Sequence, residues 1–532
     1  MNALLILFAV IIFTCIFLNS ISSKAGVPVL LLFIVFGILF GLAEPDSNSE
    51  EALWLVEKVS TVALIFIMFY GGFGTKWSSA RPVVVESGIL ATLGVILTAA
   101  LVGLFCHFVL GWGLVEGLLM GSVVSSTDAA SVFSILRSRK LGLKNNTAPL
   151  LEIESGSNDP CSYMMTAIML SMLGGSASGG QVVWMIFSQL VFGALCGALV
   201  AQGAIFVLRR FNISAAGFDS LFILAVAIVA YALPSLIGGN GYLSTYIVGI
   251  ILGNTSFRGR KPLVHFFDGV TSLMQILIFF LLGFIANPES LHKAVVPALI
   301  IYAFLTIVAR PLAVASILTP FRKYGIKQQT LISFVGLRGA ASIVFAIMAI
   351  SGGVPIEHDI FNIVFCIVLI SISLQGSLIP FAAKKLDMID TSEDVLKTFN
   401  DFADESDIAF SKIEIGPQNP WKDKMVKDLG IPHNVLLTMI VRGQENIIPT
   451  GSTVILEGDV IISSTKAFDS ENLVNLREHT VRKGSRWAGR PIKEYPNRHR
   501  DLVVLVRRGD DSLIPNGETV LEEGDTLVIM NR

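Results

Sequence analysis

"LEIESGSNDPCSYMM" (residues 151–165) sets Glu154 and Asp159 five positions apart, with an amide, small hydroxyls and a glycine between them, and runs straight into the apolar "TAIMLSMLGG" (166–175). If the stretch is a membrane helix starting near residue 149, Asp159 stands roughly 15 Å inside it at a rise of 1.5 Å per residue. That is the middle of a hydrocarbon core about 30 Å thick. A lone charge at that depth costs at least about 2.5 to 3.5 kcal/mol, so it is expected to pair or to line a wet cavity. Whether these residues lie in lipid therefore decides both the fold and the site.

The composition places them there. Of 532 residues, 53% are hydrophobic and only 15% charged, with a mean hydropathy of +0.70, well above an ordinary soluble domain. The net charge of −2 gives no basic excess for nucleic acid. Cys15, Cys106, Cys161, Cys196 and Cys366 stand singly in apolar stretches, without metal or disulfide spacing. No Walker A string occurs, so an ATP-driven pump is not expected, and the chain reads as no enzyme.

Thirteen apolar windows recur up to residue 383 and then stop: 2–20, 27–42, 53–73, 83–110, 112–136, 149–173, 181–208, 218–235, 240–254, 263–286, 293–319, 328–351 and 359–383. The first has no basic leader segment or cleavage site and reads as a span rather than a signal peptide. Basic residues alternate with the windows. Lys24, Lys76 and Arg81, "RSRKLGLK" (137–144), Arg209 and Arg210, "RGRK" (258–261), "FRKYGIK" (321–327), and Lys384 with Lys385 fall on one side. The opposite connections, from "AEPDSNSEE" (43–51) to "GGVPIEHD" (352–359), carry only Lys293. Basic loops stay cytoplasmic, which predicts an outside N-terminus and a cytoplasmic tail in the cell (inner) membrane.

Most ionisable residues near these windows, Lys58, Glu86, Glu152, Asp219, His265 and Asp268, are close enough to a membrane face to snorkel or cap, and His107 reads as a core histidine. Asp128, Glu154, Asp159, Arg310 and Arg338 are too deep for that. Two of them lie in "GSVVSSTDAAS" (121–131) and "GLRGAAS" (336–342), rich in Gly and Ser at mid-span where a lipid-facing helix would carry Leu. Both are candidate helix breaks, in the fifth and twelfth windows. That offset of seven suits inverted repeats of spans one to six and eight to thirteen. Asp128 and Arg338 would compensate the exposed half-helix ends. The fold expected is an all-α polytopic membrane domain with two broken, crossing helices, plus a cytoplasmic α+β tail.

On a helix, Ser155 and Asp159 share one face and Glu154 and Asn158 the adjacent one. A carboxylate in a low-dielectric pocket that water can reach holds a proton at near-neutral pH, and its ionised form binds a hard monovalent cation. The two ligands compete for one group, and if only the neutralised group changes sides, obligatory exchange follows.

"ESGSNDP" after "SSTDAAS", with "ARPLAV" (309–314) and "GLRGAAS" downstream, resembles the monovalent cation/proton antiporter superfamily, in the branch of NhaP-type antiporters, over roughly residues 1–385. The resemblance implies that Asp159 of the Asn158-Asp159 pair carries cation and proton, with Thr127, Asp128 and Ser155 contributing. It also implies a structural Glu154–Arg338 pair, and it puts Arg310 where electrogenic relatives carry a lysine. With Asn at 158, one carboxylate exchanges, so the stoichiometry implied is electroneutral. The family's commoner "TDP" is "TDAA" here.

Beyond residue 385 the windows end. "DTSEDVLKTFNDFADES" (390–406) reads as an acidic, helical connector within 386–412. Two repeats follow, 413–469 and 470–532, at an offset of 66: "VRGQENIIPTGSTVILEGDVII" (441–462) aligns on "RRGDDSLIPNGETVLEEGDTLV" (507–528), and Trp421 on Trp487. Each has short alternating strands between Gly turns and resembles the TrkA-C (RCK-C) domain, which pairs across dimers and in some relatives binds a nucleotide such as cyclic di-AMP. That tail implies the potassium/proton antiporter subgroup: a homodimer in the lipid bilayer, exchanging K⁺, or also Na⁺, for H⁺ with no catalytic cofactor. The rivals are an RCK-regulated potassium channel, against which the missing "TVGYG" filter speaks, and a non-transporting sensor.

Overall fold

A computed structural model describes residues 13, 29–43, 49–138, 141–175, 178–210, 218–255, 260–286, 288–390, 408–417, 419–431, 435–443, 445–466, 475–482, 485, 487–494, 502–508, 511–513 and 515–531. The chain forms two compact units, Met1–Asp404 and Glu405–Arg532. The expected first span, 2–20, lies outside the described residues but for Phe13, as does most of the acidic connector.

The first unit is helical. Among the described residues, seven helices are long and apolar enough to cross a membrane, beginning with Glu50–Gly74 and ending with Ile360–Lys385. Four apolar helices, Leu30–Gly41, Leu114–Ser125, Gly241–Gly253 and Ala340–Ser351, are shorter. Helix Thr147–Leu173 has the length but carries Glu152, Glu154 and Asp159 along it. Every window from the second onward falls on a helix or, in two cases, on an interrupted one. Leu114–Ser125 is followed by Ala129–Ser138, and Ile326–Phe334 by Ala340–Ser351. Gly and Ser favour the interruptions because they give a helix little to pack and offer the backbone other hydrogen bonds.

Close helix approach follows from small residues. A Cβ on Gly72 would stand 2.4 Å from the Tyr246 carbonyl oxygen, and one on Gly249 2.3 Å from that of Phe69. The two glycines seat Gly241–Gly253 on Glu50–Gly74. Among the described residues, three helices contain a π turn, Leu90–Gly94, Leu305–Ala309 and Ser371–Gln375; such turns turn side chains off the regular helical register. Outside the bundle, Gly142–Leu143 pairs antiparallel with Ile389–Asp390, and Lys144 bridges Asp387 at 3.0 Å.

Among the described residues, the second unit holds two antiparallel sheets of one topology. Strands Ile408–Glu414, Val460–Lys466, Val435–Arg442 and Glu445–Ile447 lie in that order, as do Asn475–Thr480, Thr526–Asn531, Leu502–Arg508 and Asp511–Leu513. In each, an arginine grips a buried aspartate with two bonds: Arg442 on Asp459 at 2.8 and 2.8 Å, Arg508 on Asp525 at 2.9 and 2.8 Å. The first strand starts at Ile408, ahead of the boundary expected at residue 413.

Candidate functional site

The two interruptions meet. The Asp128 N–H donates to the Leu337 carbonyl at 2.8 Å, so the chain crosses itself where neither segment is helical. At the first interruption both half-helix ends have a side chain on them. At the C-terminal end of Leu114–Ser125, Arg338 Nη1 donates to the carbonyls of Ser125 (2.9 Å) and Ser126 (2.6 Å), putting a cation on the negative pole. At the start of Ala129–Ser138, Asp128 accepts from the Ser131 N–H (3.2 Å) and hydroxyl (2.5 Å), the geometry of an N-cap. The break therefore needs no proline, and "TDAA" serves.

The second interruption is held from Ile360–Lys385. The Arg338 N–H donates to Ser371 Oγ at 3.0 Å, Ser371 donates to Gln375, and Gln375 Nε2 donates to the Phe334 carbonyl. Ser371 and Gln375 bound the π turn, which delivers both to this point. Gly339 is required by sterics: a Cβ there would lie 2.2 Å from Asp128 Oδ2.

Helix Thr147–Leu173 packs along the crossing. Ser155 donates to the Thr127 carbonyl at 2.6 Å. Asn158 Nδ2 donates to Thr127 Oγ1 at 2.6 Å and to Glu154 Oε1 at 3.3 Å, while the Thr127 N–H reaches Asn158 Oδ1 at 3.4 Å. Asp159 Oδ1 accepts from the Ser126 hydroxyl. Pro160, inside the helix, has no N–H to offer the Gly156 carbonyl four residues back. Its own carbonyl accepts from Asn240 Nδ2 at 2.8 Å.

The expected Glu154–Arg338 pair does not form. Glu154 Oε1 meets Arg310 Nη2 at 2.9 Å, with both side chains at most 2% exposed. The reason is local: the Arg338 guanidinium is committed to the half-helix carbonyls, whereas the π turn Leu305–Ala309 immediately precedes Arg310 and turns it inward. Arg310 thus neutralises the deep acid next to the site. Asp159 has no ion-pair partner among the described residues.

A cavity of about 310 Å³ reaches the crossing and is lined by Ser126, Thr127, Asp128, Ser155 and Asp159. Its remaining wall includes Glu152 and Asp268, both read from sequence as face-snorkelling acids. The Thr271 hydroxyl, buried and without a hydrogen-bond partner, lines it too. Of the other face residues, Glu86 does bridge Lys323, at 2.5 Å. Of the sequence-derived site residues, Asp159, Asp128, Thr127 and Ser155 line the cavity. Asn158, Glu154, Arg310 and Arg338 form the scaffold beside it.

Carbonyls and hydroxyls around one unpaired carboxylate, at the meeting of two broken helices in an apolar bundle, define a secondary cation transporter. The comparisons agree with that class. The transmembrane sodium/hydrogen exchanger family matches residues 8–385, and the TrkA-C domain matches 410–463 and 476–530. The chain belongs to the sodium/hydrogen exchanger family and carries two TrkA-C domains. It is 33% identical over 478 residues to the K⁺/H⁺ antiporter NhaP of Alkalimonas amylolytica, covering 88% of this chain and 82% of that protein. It is 31% identical over 493 residues to the K⁺/H⁺ antiporter NhaP2 of Shewanella oneidensis, covering 89% and 83%. The solved sodium proton antiporter MjNhaP1 of Methanocaldococcus jannaschii shares the membrane fold, with a TM-score of 0.63 at 23% identity over 72% of this chain and 99% of that one.

Proposed function

We propose that the chain is an electroneutral antiporter that exchanges K⁺ for H⁺ by alternating access, with Asp159 the one carboxylate that carries either ligand. The carrying observation is the contrast between the two deep acids on one helix: Glu154 is neutralised by Arg310 at 2.9 Å, while Asp159 faces the cavity with a neutral serine hydroxyl as its partner. A permanent counter-cation would remove the need for a proton or metal ion; Asp159 has none among the described residues. The Ser155 and Ser126 side chains and the Thr127 backbone supply hard oxygens around it, and Asp128 caps the adjoining half-helix. Relatives over most of the chain are named K⁺/H⁺ antiporters, which supports K⁺; a more distant one is named a probable Na⁺/H⁺ antiporter, and Na⁺ remains a second cargo in this reading.

The membrane unit has thirteen spans arranged as inverted repeats, with the N-terminus outside and the tail in the cytoplasm. The alternation of basic loops and the breaks seven spans apart support this. Glu152 and Asp268 lie towards the N-terminal ends of helices that follow the basic loops 137–144 and 258–261, so the cavity opens to the cytoplasm and the conformation is the inward-open one. The protein works in the cell (inner) membrane as a homodimer through membrane unit and tail, and the TrkA-C pair regulates it, with a nucleotide such as cyclic di-AMP as its ligand; both rest on the resemblance.

Reconstituted vesicles with a trapped pH dye test the reading. An inward K⁺ gradient is expected to move H⁺ outward, saturably and without response to a clamped voltage. Uncoupled K⁺ conductance would place the protein with the channels.

A further inference from the structure

A second polar cluster lies at the far end of the two half-helices. Glu116, in the first turn of Leu114–Ser125, is 4% exposed. Its Oε1 accepts the His358 N–H at 2.8 Å and its Oε2 stands 3.1 Å from His358 Nδ1. Among the described residues no lysine or arginine is within ion-pair distance of Glu116. A buried carboxylate without a permanent cation is costly, and none of the exchange chemistry uses this one.

The ring nitrogen is equally unusual. His358 Nδ1 is buried and has no hydrogen-bond partner, although the carboxylate oxygen is 3.1 Å away; the two atoms are close without being aligned as donor and acceptor. Trp112 stacks on the imidazole at 4.3 Å between centroids and limits its rotation. The exposed Glu357 completes a set of three ligand atoms within 4.8 Å of one another. Donors about 2.0 to 2.2 Å from a tetrahedral Zn²⁺ lie about 3.3 to 3.6 Å apart. The Nδ1–Oε2 edge is already near that length, and the exposed Glu357 side chain is free to close the third.

We propose that Glu116, Glu357 and His358 form a site for a divalent transition-metal cation of the Zn²⁺ class, with one imidazole, two carboxylates and water in the open position. The imidazole selects such ions over Mg²⁺, which prefers oxygen ligands and keeps its waters. Placement gives the site a consequence. Glu116 opens the half-helix whose other end holds Arg338 and Ser126, and His358 lies in the loop after the half-helix Ala340–Ser351. A bound ion would tie the distal ends of both half-helices together and brace the crossing, slowing exchange; that consequence rests on the antiport reading, whereas the binding does not.

The test uses the full-length protein in detergent, titrated with ZnCl₂ or MgCl₂ and followed by thermal unfolding. Zn²⁺ should raise the wild-type Tm in a saturable way and Mg²⁺ should not. His358→Ala should abolish the rise. Glu357→Gln, at an exposed side chain whose loss leaves the Glu116–His358 contact in place, should weaken Zn²⁺ at least about tenfold. No rise in the wild type, or an equal rise in both variants, overturns the site. In vesicles, Zn²⁺ should slow cation-driven proton movement by the wild type and not by Glu357→Gln. Binding without slowing removes only the bracing, and an absence of flux without Zn²⁺ counts against antiport and leaves the binding result standing.

Discussion

Arg310 holds Glu154 at 2.9 Å with both side chains buried, five residues along the helix from Asp159, the carboxylate that faces the cavity. The pair separates two acids of like charge into two jobs. One is neutralised and fixes Thr147–Leu173 against the π turn before Arg310, and the other faces the cavity with no ion-pair partner among the described residues.

Glu154→Gln strands a buried guanidinium. Breaking one side of a buried pair typically costs about 3 to 5 kcal/mol, so the variant should melt markedly lower and express poorly. Replacing Arg310 by Gln as well should recover part of the loss. A wild-type melting curve for the single variant would show that the pair does not hold the bundle.

Gly339→Ala should stop exchange, because the new Cβ would meet Asp128 Oδ2 at 2.2 Å and push the crossing open. Gly88→Ala, where nothing lies within 4 Å, is the matched control and should transport normally. Equal rates for the two variants would mean that the crossing tolerates separation.

Glu152 and Asp268 line the same cavity as Asp159. Acids along a narrow, low-dielectric entry raise the local cation concentration. Neutralising both, as Gln and Asn, should raise the KM for K⁺ severalfold while leaving kcat nearly unchanged, with the difference shrinking at high ionic strength. A fall in kcat at constant KM would move these residues from the entry to the exchange step itself.

The tail should lose stability in acid. Hydrogen bonds from Arg442 hold the Asp459 carboxyl below the usual carboxylate range. A depressed folded value contributes stability that is full above about pH 4, the ordinary aspartate value, and is lost as pH falls through the folded value. Hydrogen-exchange protection in strands Val435–Arg442 and Val460–Lys466, taken relative to the intrinsic amide rate at each pH, should fall over that acidic window and not between neutral and mildly acidic pH. In Arg442→Gln the acid-dependent step should shrink.

The helices of the membrane unit, the repeated tail and the burial of Glu154, Asp159, Arg310 and Arg338 are legible because they depend on local signals. Apolar length, Gly and Ser at mid-span, and a constant offset of 66 all survive without knowledge of neighbours. The partner of Glu154 was not legible. Arg310 and Arg338 are both deep enough to reach it, and the choice turns on a π turn that shifts Arg310 inward and on backbone carbonyls that claim Arg338, neither of which leaves a compositional trace. Ser371 and Gln375 were missed although "SISLQGS" (371–377) is a polar run in the last apolar window. Glu152 and Asp268 read as face residues in the sequence because depth along a helix does not reveal which acids share a cavity.

The most direct measurement is H⁺ movement driven by a K⁺ gradient in vesicles containing wild type or Asp159→Asn at equal, folded density. The wild type should exchange K⁺ for H⁺ at a fixed ratio of one, and the variant, whose amide can still accept from Ser126 but can neither lose a proton nor carry charge, should exchange none. Wild-type exchange by Asp159→Asn would contradict the assignment of both ligands to this carboxylate.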